Sequence, residues 1–168
     1  MRIGVVSDTH GVLGADVVEA LRGCELIVHA GDVGSAAVLA GLEAIAPLRV
    51  IRGNHEPEEL AYLPRSLEFE AAGLRFYVLH GFISMPRERA RSMFGNFFRR
   101  LAERKIDVLI FGHTHIPYNR REEGMLLFNP GFAGASAEHR ELGIITVENG
   151  STAAVHVPLG QLGEERNT

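Results

Sequence analysis

A chain of 168 residues and 18.4 kDa can bury one core without disulfide or metal staples, and with 46% hydrophobic and 23% charged residues it falls outside the disordered and fibrous classes. A net charge of −4 and a pI near 6.1 leave no basic surplus to neutralise a run of phosphates, so extended nucleic-acid binding is not expected, whereas a small phosphate ester held at one local site is compatible. No apolar stretch approaches the ~20 residues that span a bilayer. Met1 and Arg2 lead straight into an apolar run without a leader pattern, and the lone Cys24 cannot form an internal disulfide, so a cytoplasmic protein with no membrane association is expected.

In chain order, residues 3–7, 26–29 and 48–52 are short runs rich in β-branched side chains. Residues 12–22 and 35–46 lie between them, and in the first of these Val17, Val18 and Leu21 recur at helical spacing. The spacing predicts βαβαβ, with parallel strands covered on both faces. Ser35 is placed to cap the second helix and Pro47 to stop it. From residue 66 the pattern changes to hairpins, which predicts that antiparallel pairs join the sheet. Residues 67–71 and 74–80 flank a turn ending at Gly73, and Glu122, Glu123 and Gly124 turn the chain before residues 125–128. A third hairpin, 143–148 with 152–157, turns at Asn149-Gly150, a pair suited to type I′. Between the first two lies a helix over 87–105 with an apolar stripe that includes Ala90, Phe94, Phe97 and Leu101, followed by a strand at 107–111. One mixed α/β domain over 1–160 is expected, with a polar tail at 161–168.

Six of the eight histidines fall at or just past a predicted strand end: His10, His29, His55, His80, His113 and His115. That edge is where open α/β sheets bind ligands. Asp8 and Asp32 follow apolar runs in the same way, and a buried carboxylate is costly unless something compensates it. Glycines beside each cluster imply tight loops that bring these groups to one rim. The pairs Asp8-x-His10 and His113-x-His115 offer carboxylate and imidazole donors suited to divalent transition metals. Asp8, His10, Asp32, Asn54, His80, His113 and His115 make seven candidate donors. That is too many for one tetrahedral ion, and enough for two ions if a carboxylate bridges them. His29, on the strand side, reads as a core or supporting residue, and His139 and His156 as structural.

The clusters read Asp8-Thr9-His10, Gly31-Asp32, Gly53-Asn54-His55-Glu56, His80-Gly81 and Gly112-His113-Thr114-His115. In this order they resemble the five blocks of the calcineurin-like metallophosphoesterases, and the length is similar to the small bacterial and archaeal phosphodiesterase branch. The resemblance implies an αββα sandwich, two facing mixed β-sheets flanked by helices. It implies that Asp8, His10 and His115 hold one metal, that Asn54, His80 and His113 hold the other, and that Asp32 bridges. It gives His55 the role of general acid or charge stabiliser over the phosphate, with Asn54 also touching substrate. Three positions depart from the commonest pattern: Glu56 stands for a more frequent Asp and bears on the orientation of His55, Phe82 stands for a frequent His, and Phe132 for a frequent Ser.

Two divalent ions set against Asp8 and Asp32 leave about +2 in a site otherwise built of neutral groups, which attracts a phosphoryl anion. The expected reaction is hydrolysis of a phosphodiester by a metal-bridging hydroxide. Manganese is the expected ion, with iron, zinc, cobalt and nickel also suited to the donors. The alternatives are a phosphomonoesterase, a dinuclear hydrolase of carboxylic esters or amides, and use of the fold as a protein-interaction scaffold. A homo-oligomer is compatible with the sequence. Arg87, Arg89 and Arg91 follow the His80 loop, where they could reach a phosphate or simply form a solvated helix face.

Overall fold

The computed structural model describes residues 1–81, 87–135 and 139–160, except for the side chains of residues 87–94. Strand β1 (Arg2–Val6), helix α1 (Ala15–Ala20), β2 (Leu26–His29), α2 (Ala36–Glu43) and β3 (Leu48–Val50) form the first third. A single 3₁₀ turn follows at Glu58–Leu60, then β4 (Ser66–Ala71), β5 (Leu74–Leu79), α3 (Arg87–Glu103) and β6 (Val108–Phe111). The chain continues with β7 (Tyr118–Glu122), β8 (Met125–Asn129), β9 (Glu141–Glu148) and β10 (Ser151–Pro158).

These strands make two mixed five-stranded sheets, ordered β10-β9-β1-β2-β3 and β4-β5-β6-β8-β7. The parallel β1, β2 and β3 are as the spacing predicts. The hairpins divide, however: only β9–β10 joins the first sheet, while β4–β5 and β7–β8 build the second. Strand β1 is paired on one side with β2 and on the other with β9, and the first sheet ends at β10 and β3. The second sheet is parallel at its centre, where β6 pairs with both β5 and β8.

Two further expectations change. Strand β3 is an edge strand and only half-buried, unlike the fully buried β2. Helix α1 begins at Ala15 rather than at residue 12, because His10 and Gly11 take φ of 47° and 85° and Gly14 supplies the N-cap. The other local signals hold. The Ser35 side chain accepts a hydrogen bond from Val38 N, and Asn149 and Gly150 have φ of 51° and 75°, the left-handed pair of a type I′ turn.

Alternation along the strands sorts the core into three layers. In β6, Val108 and Ile110 belong to the cluster between the sheets, with Val5, Val28, Phe76 and Phe128. Leu109 and Phe111 point the other way and pack with Leu101 of α3. Helices α1 and α2 cover the first sheet through Val17, Val38 and Leu42. Both sheets carry their parallel strands so that the loops after β1, β2, β3, β5 and β6 meet on one edge, where backbone and side-chain bonds connect them.

Ile110 is fully buried between the sheets, so Ile110→Ala removes packing from both. The expected loss is about 2 to 5 kcal/mol in urea unfolding with an unchanged m-value. A loss below about 1 kcal/mol would show that the sheets are not closely packed at this position.

Candidate metal centre

The loops leaving β1 and β2 continue to pair after the strands end, with Asp8 N donating to Gly31 O, His10 N to Asp32 O and Gly11 N to Val33 O. This pairing is achieved with an unusual backbone. Asp8, His10, Asp32, His113 and His115 have φ of 58°, 47°, 55°, 73° and 57°, the left-handed region that side chains other than glycine seldom occupy. Among the described residues, the remaining non-glycine cases lie at the Ala72, Glu123 and Asn149 hairpin turns and at Lys105. Local strain is therefore concentrated on five of the seven expected ligands.

Each of the two carboxylates has one oxygen held by hydrogen bonds from the protein and the other facing imidazoles. Asp8, fully buried, accepts at Oδ2 from Ser7 Oγ at 2.5 Å and from His113 N at 3.1 Å. Its Oδ1 is buried with no hydrogen-bond partner and lies 3.2 Å from His115 Nε2 and 3.9 Å from His80 Nε2. Asp32, 2% exposed, accepts at Oδ1 from His55 N at 2.9 Å. Its Oδ2 lies 3.3 Å from His80 Nε2 and 3.9 Å from His10 Nε2.

Buried His80 is oriented from behind. Its Nδ1 lies 2.7 Å from Ala30 O, and a carbonyl only accepts, so Nδ1 carries the proton and Nε2 is turned toward the carboxylates. Nε2 has no hydrogen-bond partner either. Burial disfavours a charge on His80, yet its proximity to Asp32, the Ala30 carbonyl and Asp8 raises its pKa above the ordinary histidine value. For Asp32, burial raises the pKa but is outweighed by His80 and the His55 amide, which hold the carboxyl below its ordinary range. Positive charge is thus favoured at the point where the unclaimed atoms converge.

Two groups of donor atoms, each within 4.8 Å of one another, could hold an ion: Asp8 with His10 and His115, and Asp8 with Asp32 and His80. Asp8 belongs to both groups, and Asp32 Oδ2 also lies between His10 and His80. His113 stands beside His80 with ring centroids 5.2 Å apart. His55 is 6.3 Å from His10 by the same measure. Asn54 and His55 are both exposed. Orphaned buried atoms and an oxygen–imidazole donor set fit divalent transition ions.

The neighbouring glycines are required by close approach. A Cβ at Gly53 would sit 2.0 Å from Asp32 Oδ1, and one at Gly112 would sit 2.0 Å from Ser7 Oγ. Glu56, expected to bear on the His55 ring, binds backbone instead: its carboxylate accepts from Val33 N, Gly34 N and Gly53 N. It ties the Asp32 loop to the Asn54–His55 loop.

His29 is a core residue, with Nε2 2.9 Å from Thr9 Oγ1 and Nδ1 accepting from Gly31 N. Burial, reinforced by the charge on His80, pushes its pKa down to about 3. His156 bonds Asn129 O and stacks on Phe128, and His139 is exposed. Phe82, the side chains of Arg87, Arg89 and Arg91, and the tail at 161–168 lie outside the described residues. Ser7, Thr9 and Arg140 also contact the centre's loops, through Asp8, His29 and the 133–134 carbonyls, and the sequence does not single them out. Ser7 and Thr9 adjoin Asp8 and were signalled only by that adjacency, whereas nothing local marks Arg140.

The sequence matches the calcineurin-like phosphoesterase superfamily domain over residues 1–150. A probable metallophosphoesterase of Methanothermobacter thermautotrophicus is 40% identical over 137 residues, covering 78% of this chain and 76% of that protein. The solved structure of a novel archaeal phosphodiesterase superposes with a TM-score of 0.74 at 22% identity, over 94% of this chain and all of that one. Wild-type Vps29 of Entamoeba histolytica, complexed with zinc, gives 0.69 at 16% identity over 94% and 99% of the two chains. These two structures share the metallophosphoesterase fold, and with the family match spanning most of the sequence, the chain belongs to the calcineurin-like phosphoesterase superfamily.

Proposed function

We propose that this protein is a dinuclear metal-dependent phosphoesterase acting on a small phosphate ester, with phosphodiesters as the favoured class and manganese as the favoured ion. The observation that carries this reading is the pair of buried carboxylates, each with one oxygen fixed by hydrogen bonds and the other left facing imidazoles. In this reading Asp8, His10 and His115 hold one ion, Asn54, His80 and His113 hold the other, and Asp32 bridges. A likeness to proteins named metallophosphoesterase supports the assignment. Bound divalent ions would supply Lewis acidity, lowering the pKa of water and offsetting charge on the phosphoryl oxygens.

The chain's own groups do the rest. His55 is exposed at the rim, with its backbone tied to Asp32 Oδ1, so its imidazole is available to a bound phosphate while its main chain stays fixed to the centre. It protonates or stabilises the leaving oxygen. Asn54, exposed beside it, donates its amide to a phosphoryl oxygen. Glu56 keeps that loop at a constant distance from Asp32 through three backbone N–H groups, which fixes the approach of His55 to the leaving group.

Exhaustive chelation should abolish hydrolysis of a nitrophenyl phosphodiester, and manganese should restore it. A panel with a nitrophenyl phosphomonoester and a carboxylic ester reads the substrate class at the same time. Full activity in a protein shown by metal analysis to be empty would contradict the reading. Inactivity of the metal-loaded protein on every phosphate ester would favour a protein-interaction scaffold, a role in which the catalytic histidine is dispensable.

His55→Ala should retain both ions and the fold while kcat falls about 10²- to 10⁴-fold. The deficit should be larger for a diester with an alkoxide leaving group than for a nitrophenyl ester, because nitrophenolate needs little protonation. An equal deficit on both would mean that His55 only positions the phosphate, and a lost ion would mean that it is a ligand.

A further inference from the structure

Arg140 lies outside every motif that carries the family likeness, yet it is buried, with its side chain 2% exposed. All five guanidinium N–H donors find acceptors. Nε donates to Gly134 O and Nη2 to Ala133 O, Nη1 reaches Gly160 O, and both terminal nitrogens contact the Asp16 carboxylate of α1, the nearer pair at 2.6 Å. A buried charge satisfied this completely fixes whatever it binds.

It binds a strap. Ala133 and Gly134 give their carbonyls to Arg140 and their N–H groups to Ser7 O and Asp8 O at 3.2 and 3.0 Å. The strap is therefore held between the guanidinium and the backbone of a candidate ligand in left-handed conformation. Phe132, the preceding residue, is 3% exposed. Its ring lies against both imidazoles of one donor group, with centroids 4.5 Å from His115 and 5.8 Å from His10. A Cβ at Gly134 would come within 2.7 Å of Phe132 Cζ, so the glycine is what lets the ring lie there.

We propose that Arg140 is a positioning residue of the metal centre, acting through the strap from Phe132 to Gly134 to hold the ring wall against His10 and His115 and the backbone under Asp8. The proposal rests on the two-ion reading. It explains the aromatic residue at position 132: the ring face limits the rotamers of two imidazoles that are otherwise open to solvent. The larger effect falls on the ion held by Asp8, His10 and His115, whose two imidazoles lie against the ring; the donor group near Asp32 shares Asp8, but its imidazole is oriented by Ala30 O instead.

The test is manganese titration of the metal-free full-length protein, read by calorimetry and by metal content. Arg140→Met keeps the stem and removes the donors, and it should bind one ion roughly 10- to 100-fold more weakly, the range found when groups supporting ligands are lost, and the other with a smaller loss. Phe132→Leu, with the clamp intact, should weaken the same ion. If Arg140→Met does not fold, Asp16→Asn, which removes only the partner charge, should give a smaller loss of the same kind. Leu101→Ala, a truncation in the α3 layer, which includes no residue of the strap or of either donor group, controls for general destabilisation and should leave both affinities unchanged. Parental binding of both ions by Arg140→Met and Phe132→Leu would overturn the proposal, as would a loss matched by Leu101→Ala. A parent that binds fewer than two ions would instead overturn the two-ion reading.

Discussion

Asp8 and Asp32 are carboxylates buried at the ends of two adjacent parallel strands, and the surrounding architecture is organised by the need to compensate them. An ionised carboxylate removed from water is tolerated only with hydrogen bonds and an opposing charge. The protein supplies the hydrogen bonds to one oxygen of each, from Ser7 and the amides of His113 and His55. The imidazoles of His10, His80 and His115 surround the other oxygens, and Asp8 Oδ1 is left without a hydrogen bond. A divalent cation would do what a neutral side chain cannot, because it would bring charge as well as a bond.

The same requirement accounts for the backbone. Five candidate ligands hold left-handed φ values, each an expense of order 1 kcal/mol or more that persists only where the surroundings over-determine it. Here the surroundings are cross-ties between loops of different strands. His113 N reaches Asp8, His80 Nδ1 reaches Ala30 O, and Glu56 spans the loops after β2 and β3. Two sheets whose parallel strands end on a common edge make such ties possible, since the loops after β1 and β2 meet those after β6 and β5 of the facing sheet. Fold and site are in this sense one construction.

Much of the site was legible in the sequence because its residues are short-range signals: an apolar strand, then a carboxylate or histidine, then a glycine. The parallel first third was legible for the same reason, since continuous β-branched runs and helical spacing are local properties. The partition into two sheets was not local. From the residues alone, every hairpin could have joined one sheet; that β4–β5 and β7–β8 pair instead with β6 is set by contacts distant in sequence. Nor could spacing show that Asp8 stands in both donor groups, or that Glu56 grips backbone amides rather than a ring. Arg140 was least visible of all, because its partner Asp16 is 124 residues away in sequence and a lone arginine ordinarily reads as surface.

In the proposed centre two ions would share a bridging carboxylate at the junction of these loops. Electron paramagnetic resonance of the protein loaded with two equivalents of manganese(II) tests it most directly, since spins that share a bridging oxygen are exchange-coupled. A bridged pair gives a multiline spectrum, which is the expected result. The ordinary six-line signal of isolated manganese at full intensity would contradict it.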